Sequence, residues 1–148
     1  IELATHVDEA ISRVRALARS QQVTITNCIE DGPVAIPFDP EQFGQILEQL
    51  LINSIMYNLV GGEVRLTFET EEDGWTLSVI DTGQGILEFK QAGIFDLYQS
   101  NLQDTISLHT GLPLAQHLAR LNNAILSCEN HELDGKPIGA CFKLWISA

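Results

Sequence analysis

Positive charge is scarce in this sequence. Lys and Arg number 8 in 148 residues against 20 Asp and Glu, a formal net charge of −12. Proteins that grip DNA or RNA cluster their cations to displace counterions from phosphate. Here Arg65, Lys90, Arg120, Lys136 and Lys143 are scattered, and only Arg13, Arg15 and Arg19 fall together. No nucleic-acid partner is expected. Cysteine is sparse as well: Cys28, Cys128 and Cys141 are odd in number and lack CxxC spacing. That argues against a disulfide framework or zinc site and for a reducing, cytoplasmic setting. His6, His109, His117 and His131 form no HExxH pattern. Long apolar runs are missing too. The stretch 49–57 is interrupted by polar residues, well short of the roughly 18 needed to cross a bilayer. No basic start followed by an apolar segment marks a signal peptide, so membrane insertion of this chain is not expected, although a parent protein could be anchored. The chain opens at Ile1 rather than Met, which predicts a single domain over 1–148 cut from a longer protein.

What is present is a regular alternation of elements. Val7, Ala10, Ile11, Val14 and Leu17 have helical spacing over 4–20. VTITNCI (23–29) reads as a strand, and VAIPF (34–38) as a short one that Pro37 confines to an edge or an end. Asp39 before Pro40 is an N-cap with proline at the first helical position. Phe43, Ile46, Leu47, Leu50 and Leu51 then supply a core stripe. EVRLTFET (63–70) and GWTLSVID (74–81) form a hairpin. Residues 82–110 lack clean periodicity beyond a short segment around 89–97, a long loop of the kind that function usually explains. A helix over 111–122 and strands over 124–130 and 139–147 complete the pattern. The sum predicts an α+β fold, a two-layer α/β sandwich with a mixed sheet covered on one face by helices.

Three places could carry chemistry. Asn53 sits among Leu50, Leu51 and Ile55, and a buried amide without a partner costs about 1–3 kcal/mol. It therefore needs either a structural partner or a ligand. Asp81 ends a strand and runs into Thr82-Gly83-Gln84-Gly85-Ile86, which sets a carboxylate beside backbone that can approach a ligand closely; a plain turn would read the same. His109-Thr110-Gly111-Leu112 opens the next helix, whose N-terminus could receive an anion.

Taken in order, these motifs resemble the GHKL (Bergerat-fold) ATPase superfamily, most closely the ATP-binding catalytic domain of bacterial sensor histidine kinases. QILEQLLINSIMYN (45–58) resembles the N box, DTGQGI (81–86) the first glycine box and IFDLYQS (94–100) the phenylalanine box. HTGLPLAQHL (109–118) resembles the second glycine box and GACFKLWI (139–146) the closing strand. The resemblance implies ATP and Mg²⁺ as cofactors. It implies that Asn53 binds Mg²⁺, that Asp81 accepts the adenine amino group, and that Gly83, Gly85 and Ile86 bring backbone close to the nucleotide. Tyr57 would pack along adenine or ribose. Thr110, Gly111 and Leu112 would offer N–H groups to the phosphates, and Cys141 would line the adenine pocket where the family usually has Thr. Residues 87–110 would form a lid.

The departures are specific. Met56 stands where the family commonly has Lys, and His109 and Pro113 replace glycines, so the second glycine box is degenerate. Gln49 occupies the position at which hydrolytic members place a Glu, and an amide cannot accept a proton as a general base. That points to a kinase catalytic residue set of Gln49 and Asn53 rather than to autonomous hydrolysis. The implied function is donation of the γ-phosphate to a histidine on a separate dimerisation and phosphoacceptor domain, with a response-regulator receiver domain as the onward partner. The alternative is a pseudokinase domain kept for protein docking.

Overall fold

The computed structural model describes residues 1–30, 32–83, 107–133 and 136–148. In chain order these form α1 (Leu3–Ser20), β1 (Thr24–Asn27), α2 (Pro40–Met56), β2 (Glu63–Glu71) and β3 (Gly74–Asp81). They are followed by α3 (Ser107–Leu121), β4 (Ala124–Leu133) and β5 (Lys136–Ser147). The strands make one five-stranded sheet in the order β1-β2-β3-β5-β4. β1 pairs with β2 in parallel, and every other pairing is antiparallel.

Strand alternation decides which side is covered. In register, Leu66 opposes Val79, Leu77 opposes Leu144, Val79 opposes Phe142 and Leu126 opposes Leu144. All of these belong to the buried core. The intervening residues Arg65, Glu69, Thr76, Lys143 and Trp145 take the other face. The core stripe of α2 (Phe43, Ile46, Leu47, Leu50, Leu51) is fully buried, and α2 lies between α1 and α3. Burying each such side chain stabilises the fold by about 1.5–3 kcal/mol.

α2 starts where the sequence puts it. Asp39 Oδ1 accepts the Gln42 N–H at 2.9 Å, with Pro40 in the first turn. The same end is tied across the molecule, because Asn122 Oδ1 accepts the Asp39 N–H at 2.9 Å and Asn122 Nδ2 donates to Gln42 Oε1 at 2.7 Å. The end of α3 thus fixes the start of α2.

Two elements differ from expectation. The segment 34–38 is not a strand but makes a lone bridge, Ala35 to Glu2, because its polar groups are spent on the chain's first residues: Leu3 N–H donates to the Val34 carbonyl and Ile36 N–H to that of Ile1. α3 begins at Ser107, a turn before Gly111, and Pro113 lies inside it. The segment around 89–97, the phenylalanine-box resemblance over 94–100 and most of the expected lid lie outside the described residues.

Candidate functional site

Gln49, Asn53 and Tyr57 recur at four-residue intervals along α2 and at its cap, so they line one stripe of it. Asn53 is buried, and its Nδ2 donates to the Gln49 carbonyl at 2.9 Å. At one end of the stripe Gln49 presses on α3: a Cβ on Gly111 would collide with the Gln49 amide. At the other end, Gly83 lies so close to the cap of α2 that a Cβ there would stand 2.5 Å from the Tyr57 carbonyl oxygen and 3.0 Å from Asp81 Oδ1. Glycine is required at 83 by this close approach.

Asp81 faces the same end of α2. It is buried on the helix-covered side of β3, and its Oδ1 accepts two backbone N–H groups, from Gly83 at 2.9 Å and Ala140 at 3.0 Å. The β3–β5 ladder ends at Ile80 opposite Cys141, so the carboxylate takes over where backbone pairing stops. Burial pushes the Asp81 carboxyl above its usual range, and the two N–H groups and the Ser54 hydroxyl pull it back. Ser54 follows Asn53 on α2 and is completely buried. The Tyr57 carbonyl, Asp81 and Gly83 therefore meet at one junction between the cap of α2 and the end of β3, with Asn53 one turn earlier on α2.

A polar network braces this junction. Thr82 Oγ accepts the Glu63 N–H at 2.9 Å and donates to Asn58 Oδ1 at 3.0 Å, while Asn58 Nδ2 donates to the Glu63 carbonyl at 3.0 Å. The cap of α2, the start of β2 and the end of β3 are tied together by side chains that sequence reasoning missed. The available signal was Asn58 just past the helix and Thr82 just past the strand, both cap-type residues.

Two assignments need correction. Cys141 does not line the Asp81 side of the sheet. It opposes Ile80 and Glu129, one residue out of phase with Asp81, so strand alternation sends it to the other face, where its neighbours include Ser78 and Lys143. Ala140 is the residue that reaches Asp81. In α3, the N–H groups of Gly111 and Leu112 lie beyond the first turn and are taken by the helix's own carbonyls, and Leu112 is buried in the core. They do not point at a ligand. Thr110 lies in the first turn, which starts before it. Gly85 and Ile86 lie outside the described residues. Between α2 and α3 a groove of about 270 Å³ is lined by Gln45, Glu48, Gln49, Leu114, Ala115 and Leu118.

Residues 38–148 match the family described as histidine kinase-, DNA gyrase B-, and HSP90-like ATPase. The chain belongs to this family. Its relatives place it with the ATP-binding domains of sensor kinases. It is 34% identical over 110 residues to the sensor protein PfeS of Pseudomonas aeruginosa, an alignment covering 73% of this chain and 23% of that protein. The chain spans about a quarter to a third of the length of the curated relatives it matches. Its fold is that of a mycobacterial sensor histidine kinase, MprB, with a TM-score of 0.85 at 17% identity over 99% of this chain and 95% of that one. It also matches part of full-length ShkA, solved in complex with AMPPNP, with a TM-score of 0.81 at 20% identity over 100% of this chain and 31% of that one. The α+β sandwich is thus the Bergerat fold. Among the described residues no helix is long and apolar enough to cross a membrane.

Proposed function

We propose that this domain binds ATP with Mg²⁺ and presents the γ-phosphate to a histidine on a separate dimerisation and phosphoacceptor domain of its parent kinase. From there the phosphoryl group would pass to a response-regulator receiver domain. The observation that carries this reading is the Asp81 carboxylate: among the described residues both hydrogen bonds it accepts fall on Oδ1, which orients Oδ2 as the acceptor for a ligand. An adenine amino group donates to such an oxygen. The carbonyl that guanine carries at the same position would oppose acceptor to acceptor. Tyr57, 43% exposed at the α2 cap, is available to pack along the base or ribose.

The residues present fit the metal. Asn53 offers an amide oxygen, a hard donor, on a side chain whose nitrogen is already committed to the Gln49 carbonyl. Mg²⁺ usually takes one or two protein oxygens together with substrate phosphates and waters. When bound, Mg²⁺ would neutralise phosphate charge. The protein's own contribution is orientation: Asp81 fixes the base, Gly83 admits close backbone approach, and the Asn58–Thr82 network holds both against α2. Phosphoryl transfer depends chiefly on such positioning. Gln49, held against Gly111, supports Asn53 from one turn below and has no proton-accepting role. The family's phosphoacceptor is a His-Glu pair on a dimerising helix, and the one His-Glu pair here, His131-Glu132, lies in strand β4, so the isolated domain would bind nucleotide without phosphorylating itself.

A second reading, a docking module without nucleotide turnover, is favoured by the enclosure of the Gly111 and Leu112 amides within α3 and by Met56 in place of a cation. Calorimetric titration with ADP and ATP, with and without Mg²⁺, separates the two. Saturable binding that Mg²⁺ strengthens supports the kinase reading, and no binding at millimolar nucleotide supports the docking module.

A further inference from the structure

At alternate steps of an antiparallel ladder the two opposed residues exchange both backbone bonds. β2 and β3 depart from this where Glu63 meets Thr82, one step beyond the Val64–Asp81 pair. The Thr82 N–H still donates to the Glu63 carbonyl at 3.2 Å, but the Glu63 N–H goes to the Thr82 hydroxyl at 2.9 Å instead of to the Thr82 carbonyl. That hydroxyl in turn donates to Asn58 Oδ1 at 3.0 Å, the nearer of two acceptors, the Glu63 carbonyl standing at 3.4 Å. Asn58 Nδ2 donates to the Glu63 carbonyl at 3.0 Å, and Asn58 Oδ1 also accepts the Leu59 N–H at 2.8 Å. The Glu63 backbone, the Thr82 hydroxyl and the Asn58 amide thus close a ring. It stands one residue from Asp81 on one side and one residue from Tyr57 on the other.

We propose that Thr82 is a positioning residue of the site: by replacing its own carbonyl as the acceptor of the Glu63 N–H, its hydroxyl releases the chain from the ladder at Thr82 and so places the Asp81 carboxylate for an adenine amino group. The ligand rests on the reading given under Proposed function; the placement of Asp81 by Thr82 does not. With the Thr82 carbonyl free of the ladder, the next residue can turn toward α2. Gly83 does so, lying against the Tyr57 carbonyl and returning its N–H to Asp81 Oδ1 at 2.9 Å. The carboxylate is thereby held from both sides of β3, by the Ala140 N–H from β5 at 3.0 Å and by the turn that Thr82 releases. Valine has the shape of threonine without the hydroxyl. In its place the Glu63 N–H would be left to water or to the residue 82 carbonyl, and the second choice extends the ladder and draws Gly83 away from α2. Serine keeps the hydroxyl and with it the exchange of acceptors.

The test compares the 148-residue wild type with Thr82→Val, Thr82→Ser and Asn58→Ala. ADP affinity with Mg²⁺ is measured well below each melting temperature, and the amide proton shift of Ala140 is read in nucleotide-free protein. Ala140 is remote in sequence from both substitutions and reports the placement of the carboxylate that its N–H meets. Thr82 is exposed, so water can reach the orphaned groups and the variants should fold. Thr82→Val should weaken ADP about 3- to 10-fold and move the Ala140 amide proton upfield as its bond to the carboxylate loosens. Thr82→Ser should restore most of both. Asn58→Ala should weaken ADP to a similar extent, and the Thr82→Val/Asn58→Ala pair should lose less than the sum of its singles, as members of one ring do. An unmoved Ala140 proton or an unchanged ADP affinity in Thr82→Val overturns the proposal, and a lowered melting temperature by itself would mark Thr82 as structural. Equal losses in Thr82→Val and Thr82→Ser overturn it as well, because the hydroxyl would then not be the cause. If Thr82→Val does not fold, the same two readouts in Asn58→Ala decide. If the wild type binds no ADP, the nucleotide reading fails by itself, while the Ala140 proton still decides whether Thr82 places Asp81.

Discussion

The N–H of Ala140 donates to Asp81 Oδ1 at 3.0 Å, so a side chain fastens β3 to β5 where the backbone ladder ends. The group that would read a base is thereby also a structural clamp. Its geometry is set by two strands distant in sequence, and its surroundings by a helix from a third region.

Asp81→Asn separates these two roles. The amide oxygen can still accept both N–H groups, so the clamp survives while the charged acceptor is lost. Nucleotide affinity should fall at least about 10-fold, the scale of one charge-assisted hydrogen bond, with stability unchanged or raised. The sign follows from burial. The folded-state pKa of Asp81 lies above its unfolded value, so the folded protein binds this proton more readily. That contribution is fully present below the unfolded carboxylate range and is lost as pH rises through the folded value. Urea titrations across that window should show a decline in wild type that is shallower in Asp81→Asn.

Gly83→Ala should be costly. The new Cβ would lie 2.5 Å from the Tyr57 carbonyl oxygen, which is backbone at a helix cap and cannot swing away. A loss of about 1–3 kcal/mol, the usual range for overpacking, is expected in chemical denaturation, together with weakened nucleotide binding. An unchanged midpoint would show that the α2–β3 junction yields more easily than its contacts imply.

Pro113 lies inside α3 and cannot donate to the carbonyl of residue 109, which weakens the turn before it. Pro113→Ala restores that donor. Amide hydrogen exchange over the beginning of α3 should slow, and stability should increase by about 1–3 kcal/mol. Exchange as fast as in wild type would contradict this account of the first turn.

Met56 is the last residue of α2. With net charge −12 and no cation contributed from this helix, ATP affinity should lie in the micromolar-to-millimolar range, about −8 to −4 kcal/mol. Met56→Lys should tighten ATP by about 3- to 10-fold, an effect that diminishes at high salt. Nanomolar ATP binding by the wild type would be incompatible with this electrostatic picture.

The thiols should differ in reactivity. Cys28 is exposed, whereas Cys141 is buried and Cys128 partly so. Burial raises both of the latter thiols, that of Cys128 to about 11, leaving little thiolate at neutral pH. Labelling with a soluble disulfide reagent at pH 7.5 should modify Cys28 rapidly and the other two only on unfolding.

Much of this was legible in the residues themselves. Asp39-Pro40 announces a capped helix, the leucine and isoleucine spacing after it fixes the buried stripe, and the alternating strands 63–70 and 74–81 pair as written, because hydrophobic period and cap chemistry are local. The departures lie where distant segments compete. The segment 34–38 reads as a strand, but its polar groups are claimed by residues 1–3. Gly111 reads as a helix start, yet the helix extends back past it. Cys141 is assigned by likeness to one side of the sheet and stands on the other, since a single residue of register reverses the face.

The sequence by itself determined the elements, their order, the amphipathic side of each and the family to which they belong, because periodicity, caps and turn residues are encoded within short windows. Only the tertiary structure decided that Ala140 rather than Cys141 meets Asp81, and that Asn58 and Thr82 brace the junction. Those facts depend on strand register and on the approach of one helix to one strand end, which arise from packing between segments far apart in the chain.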